Sequence, residues 1–180
     1  MFTEESLQDI FEIADILSEG DEIVYRQLKE IVFAQDPEAL LDHLETLIAP
    51  EFFQDLLEKF TDSEKNNLWY ILVYLLIQRN YIVVTGQTEF LSSFIQGFDK
   101  VPFMQRSGIT LWSKLFQLDT RDSQLKWISN INHILLLQDA VVGAIYLNDE
   151  KNYFFLSKLD QMQKLSYLAE RLGFSIQIAG

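Results

Sequence analysis

The chain has two histidines, His43 and His133, ninety residues apart, and no cysteine. A helical metal site needs a second ligand three or four residues along, where side chains share a face. Neither histidine has an imidazole or carboxylate in those places; Leu47, four residues after His43, is apolar. Zinc and Glu-x-x-His di-iron sites are therefore not expected. Without cysteine there is neither a thiolate site nor a disulfide framework. No Gly-x-Ser-x-Gly elbow, Gly-Lys-Ser/Thr phosphate loop or Asp-x-Asp-x-Asp-Gly calcium loop occurs among the seven scattered glycines. The sequence thus predicts no catalytic residue, no metal, no cofactor and no enzymatic activity.

Carboxylates are the abundant polar groups. Acid–base catalysis needs two of them in different environments. Residues 1–64 hold 18 acidic and 3 basic side chains, −15, whereas residues 65–180 hold 9 and 11, +2. The early carboxylates fall on the wet sides of helices, where ordinary titration is expected. Asp119 and Asp122 flank Arg121 and read as a solvated turn with a helix cap; an enzymatic reading would place a pocket there, beside a loop at 97–108. Net charge is −13. A field of that sign repels nucleic acid and anionic membranes and attracts cationic proteins. Basic patches interleaved with aromatics are absent.

The elements that must position these groups follow from periodicity. Leu68 to Ile77 carries no charge. Ten apolar residues are too few for a bilayer span, which takes about twenty, so the run predicts a helix buried on every side, about 63–79, capped at Thr61-Asp62-Ser63-Glu64. Four amphipathic helices precede it. The first, 4–18, has Thr3 or Ser6 as cap and Gly20 as stop. The second, about 22–34, is capped by Asp21. The third runs from Asp36-Pro37-Glu38 to about Ile48, and the fourth follows Pro50. Tyr81 to Thr85 reads as a strand. Thr88 to Gln96 fits a helix stopped by Gly97, and 97–108 reads as a loop. Ile109 to Leu118 fits either helix or strand. Asp122 or Ser123 caps a helix to about Gln138, with Leu125, Ile128, Asn132 and Leu135 in register. Ala140 to Leu147, a turn at Asn148-Asp149-Glu150-Lys151, and Asn152 to Ser157 make a hairpin. A helix from Asp160 to Gly173 and a strand at 174–178 complete the chain. The expected fold is α+β in a single domain, 1–180: acidic N-terminal helices and a central apolar helix packed with a small mixed C-terminal sheet, helices on one face.

Two stretches, LWYILVYLLIQRNYIVV and AVVGAIYLNDEKNYFFLSKLDQMQKLSYLAERLGFSIQI, resemble the central and C-terminal parts of an uncharacterised family of small bacterial α+β domains. As a whole the chain resembles bacterial immunity proteins in size, acidity and lack of enzyme motifs. That resemblance implies a cytoplasmic inhibitor that binds a cognate toxin or other basic protein, and the negative charge leads us to expect no nucleic-acid or membrane partner. The acidic start, MFTEES, does not read as a secretory signal, so the cytoplasm is the expected compartment by default. The expected partner-binding residues are Glu12, Asp15, Glu19, Asp21 and Glu22, close in sequence and without lysine neighbours. The alternative is an intracellular accessory or regulatory interaction domain whose acidity serves solubility.

Overall fold

The computed structural model describes residues 3–34 and 36–180. They form two compact units, Met1–Arg79 and Asn80–Gly180. Helices precede and flank a small four-stranded antiparallel sheet, so the fold is α+β.

The first unit is helical: α1 (Glu4–Leu17), α2 (Glu22–Val32), α3 (Pro37–Leu47), α4 (Pro50–Lys59) and α5 (Glu64–Gln78). Each start has a physical cause. Thr3, rather than Ser6, caps α1 by accepting from the Ser6 amide. Asp21 and Asp36 cap α2 and α3. Proline holds the first turn of α3 and of α4, where a missing N–H costs nothing. Ser63 caps α5, and the Asn67 side chain accepts from the Thr61 amide and donates to its carbonyl. Along α5, Leu68, Trp69 and Ile71 to Ile77 are buried. α1, α2 and α4 pack against it, and the Tyr74 hydroxyl donates to the Asp55 carboxylate of α4.

The second unit begins with β1 (Ile82–Thr85), α6 (Leu91–Asp99) and α7 (Pro102–Ser107). A 3₁₀ helix (Trp112–Gln117), α8 (Gln124–Leu135) and a short 3₁₀ turn (Leu136–Gln138) follow. β2 (Ala140–Ile145), β3 (Asn152–Lys158), α9 (Leu159–Leu172) and β4 (Ile176–Ile178) end it. The sheet order is β1-β3-β2-β4 and every pair is antiparallel, which corrects the mixed sheet expected from sequence. β3 and β4, joined through α9, do run the same way, but β2 lies between them, so the parallel strands never pair.

Val83, Ala140, Val142, Ala144, Phe154 and Leu156 share one core with α6, α7 and α8. α9 packs against β2, β3 and β4, yet its buried row, Met162, Leu165, Leu168, Ala169 and Leu172, lies outside that core. Helices therefore cover both faces, not one. This explains why β2 and β3 read as nearly continuous apolar runs.

Gly97 does not stop a helix. It lies inside α6, where a Cβ would sit 2.7 Å from Val83 Cγ1, so glycine lets α6 approach β1. Nor is 97–108 a loop. α6 runs on to Asp99, α7 follows, and left-handed Gly108 (φ 73°) closes it. Phe98, Val101, Phe103 and Met104 are core residues. The Asp99 carboxylate accepts from the amides of Leu111 and Trp112, tying down the 3₁₀ segment that periodicity left ambiguous. In α8 the buried row is Trp127, Ile128, Ile131 and Leu135, while Leu125 is exposed. Asn132 faces the sheet: its Oδ1 accepts from the Val142 amide and its Nδ2 donates to the Ala179 carbonyl.

Two substitutions test this packing. Leu72 is fully buried, so Leu72→Ala is expected to lower the free energy of unfolding by about 2–5 kcal/mol, read from denaturant midpoints. Gly97→Ala is expected to cost about 1–3 kcal/mol by overpacking. Adding Val83→Ala removes the obstructing methyls, so the double variant should be more stable than the two single losses predict. Additive losses would argue that Gly97 does not serve close approach.

Candidate functional site

The division of the chain is also a division of charge. Residues 1–79 carry 18 acidic and 5 basic side chains, −13, and residues 80–180 carry 9 and 9. The whole excess negative charge therefore belongs to the helical unit. Amphipathic packing explains its placement: the apolar stripes of α1, α2 and α4 face inward, so their polar stripes lie outward.

The five residues expected to bind a partner surround the α1–α2 turn. Glu19 (φ 53°) and Gly20 (φ 77°) both take left-handed conformations there. The Gly20 amide donates to the Asp15 carbonyl at 2.9 Å and the Asp21 amide to the Ser18 carbonyl at 3.2 Å. Asp15, Glu19 and Glu22 are exposed and Glu12 is half-buried. Asp21 departs from the wet placement expected of it. One carboxylate oxygen accepts from the Ile23 amide at 2.9 Å and the other from Arg79 Nε at 2.7 Å, leaving its side chain 9% exposed. Asp21 thus caps α2 and ties it to the end of α5. Sequence reasoning missed this because Arg79 is fifty-eight residues away. It also missed the partner of His43, whose Nε2 lies 3.0 Å from Glu30 Oε2, joining α3 to α2. Among the described residues, no group of three or more histidine, aspartate or glutamate side chains could hold a metal ion.

The second unit contains an open polar cleft of about 410 Å³ lined by Thr88, Glu89, Thr120, Asp122, Ser123 and Trp127 among others. Its wall is a hydrogen-bonded set. Gln124 Oε1 accepts from the Thr85 hydroxyl at 2.8 Å, and Gln124 Nε2 donates to the Gly86 carbonyl at 2.7 Å. The Glu89 carboxylate accepts from the Gly86 amide. Trp127 Nε1 donates to the Asp119 carbonyl. The cleft lining includes neither histidine nor lysine, so it offers carboxylates, amides and hydroxyls without a cation to balance them. The segment 97–108 takes no part in it.

Asp119 does not line the cleft. Its carboxylate receives Arg121 Nε at 3.0 Å, Arg121 Nη2 at 2.7 Å and the Arg121 amide at 2.9 Å. The guanidinium hydrogen bond, then the amide, hold its pKa down from 3.8 to about 2. A depressed folded-state pKa favours folding above the ordinary value, and this contribution fades as pH falls from 3.8 towards 2. A carbon-detected NMR titration is expected to place the Asp119 midpoint near 2, and Arg121→Gln should raise it towards the ordinary value. An unchanged midpoint in that variant would remove Arg121 as the cause.

No helix of the described residues is long and apolar enough to cross a membrane. No curated protein and no solved structure matches the chain. A family described as "Domain of unknown function (DUF6630)" matches residues 9–179. That match spans both units and nearly the whole sequence, and the chain is a member of the DUF6630 family.

Proposed function

We propose that this chain is a binding protein that holds a basic protein partner on the carboxylates of its helical unit. In the more specific form of the reading, the partner is a cognate toxin that the chain neutralises as immunity proteins do. The observation that carries this is the net charge of the first unit, −13 in 79 residues, beside a second unit whose charges sum to zero. Solubility alone calls for no such division, because charge spread over the whole surface would serve it equally. Enzymes that cut nucleic acid are basic because they bind phosphate, and carboxylates can occupy the positions that phosphates would take.

The arrangement around Asp21 refines which residues can be tested. Asp15, Glu19 and Glu22 are exposed, whereas reversing Asp21 would remove a helix cap and an ion pair. The test begins with capture from the source cell and identification of the captured protein. Its association rate is then measured as salt shortens the Debye length from about 30 Å at 0.01 M to about 8 Å at 0.15 M. A fall of about tenfold or more is expected, since steering raises on-rates by roughly 10- to 1000-fold. Reversing Asp15, Glu19 and Glu22 to lysine should slow association at low salt. Reversing Glu150, Asp160 and Glu170, exposed in the second unit, should do much less. Association indifferent to salt and to the first reversal would overturn the acidic-surface reading. Expressing the captured protein alone should arrest growth, and co-expressing this chain should relieve it. A harmless partner would remove the toxin half and leave an accessory interaction domain.

A further inference from the structure

In the polar cleft of the second unit, the groups that hold the wall and the groups left open are different. The side-chain N–H groups of Gln124, Asn152 and Trp127 already donate within the protein. Among the described residues, no hydrogen bond reaches the side chains of Thr88, Thr120 or Asp122, which line the cleft. Ser123 Oγ accepts from the Lys126 amide at 3.3 Å and keeps its own proton to donate. Gln87 Nε2 donates to the Glu150 carbonyl at 3.4 Å, which leaves its Oε1 open. Glu89 Oε2 accepts from the Gly86 amide at 3.3 Å, which leaves its Oε1 open. The cleft thus presents three hydroxyls, which both donate and accept, beside carboxylate and amide oxygens, which only accept.

A second depression of about 350 Å³ adjoins the first, because Glu89 and Thr120 line both. Phe90 and Trp112 line it and are 82% and 55% exposed, whereas Trp69 and Trp127 are buried. No lysine, arginine or histidine lines either depression. Arg121, beside Thr120, is held by Asp119, and Lys114 and Lys126 lie outside both linings. This chemistry selects a ligand. Two carboxylates without a cation repel a phosphate or an acid. An ammonium or guanidinium only donates, so it would leave the three hydroxyl protons unmatched. A sugar ring donates and accepts through each hydroxyl, and its C–H face packs on an aromatic ring, whose body is apolar.

We infer that the two depressions together bind a neutral oligosaccharide of two or more rings, one ring hydrogen-bonded in the polar cleft and the next packed against Phe90 and Trp112. The site belongs wholly to the second unit and does not depend on the acidic surface of the helical unit.

The test titrates the full chain with three neutral trisaccharides, maltotriose, cellotriose and chitotriose, and follows the Trp112 indole resonance by NMR. At least one is expected to shift it saturably. Its affinity should be the same at about 0.01 M and about 0.15 M salt, because a neutral ligand has no charge to screen. Glucose, which can fill only one depression, should bind more weakly. Asp122→Asn, which replaces an acceptor by a donor, should weaken the trisaccharide by about tenfold or more, and Phe90→Ala by about fivefold. Phe90 stands mostly in water, so its truncation tests the contact and not the fold. Spermidine, a cation rich in N–H donors, is the control. Saturable, salt-sensitive binding of spermidine without binding of any trisaccharide would overturn the inference, as would shifts that stay linear with all three. A trisaccharide that binds both variants as tightly as the unaltered chain would place the sugar elsewhere and overturn the site.

Discussion

The helical unit depends on the burial of α5. Nine of its side chains, from Leu68 to Ile77, lie out of water, and an α-helix apolar on every side has no stable place except among other elements. At roughly 1.5–3 kcal/mol for each large side chain withdrawn from water, α5 outweighs any single polar contact in the unit. α1, α2 and α4 each turn an apolar stripe inward against it. The Asp21–Arg79 pair and the Tyr74–Asp55 hydrogen bond then fix how α2 and α4 lie along it. Those two contacts are small beside the burial, but they are directional where burial is not.

Packing around α5 requires polar outer faces but does not dictate their sign. Lysine and arginine are as good as glutamate on an exposed helix surface. Eighteen acidic residues against five basic ones in residues 1–79 is therefore a property that folding leaves free. The even balance of the second unit, nine against nine, sharpens the contrast, because both units meet the same solvent.

The second unit is organised by close approach rather than by charge. In β2 a Cβ on Gly143 would fall 2.1 Å from the ring of Phe155, its cross-strand partner, so the ring lies over the glycine. Gly97 admits Val83 in the same way. Both glycines are places where backbone and side chain come closer than any other residue would allow. Neither has a positive φ. Trp127, Phe94, Phe98 and Phe154 fill the core these approaches leave, with ring centroids 5.1–6.2 Å apart.

The sequence by itself determined the helices of the first unit, the capping residues Asp21 and Asp36, the buried run in α5, the hairpin and the final helix, whereas the cap of α5 is Ser63 rather than the Thr61 of a capping box. Those features rest on local rules: period 3.6, side chains that bond to nearby amides, and proline at a first turn. It determined the acidity of the first third for the same reason, since charge is simply read along the chain. Tertiary structure alone decided the rest. It made Gly97 a point of contact instead of a stop, and turned 97–108 from a loop into helix, because Val83 and the Asp99–Leu111 bond are distant in sequence. It withdrew Asp21 from the surface through Arg79. It placed β2 between β3 and β4, which periodicity cannot foresee, since each strand fixes its own two faces but not its neighbours. And it gathered Glu89, Thr120 and Asp122 around one cleft, because only packing brings residues of separate elements to a common point.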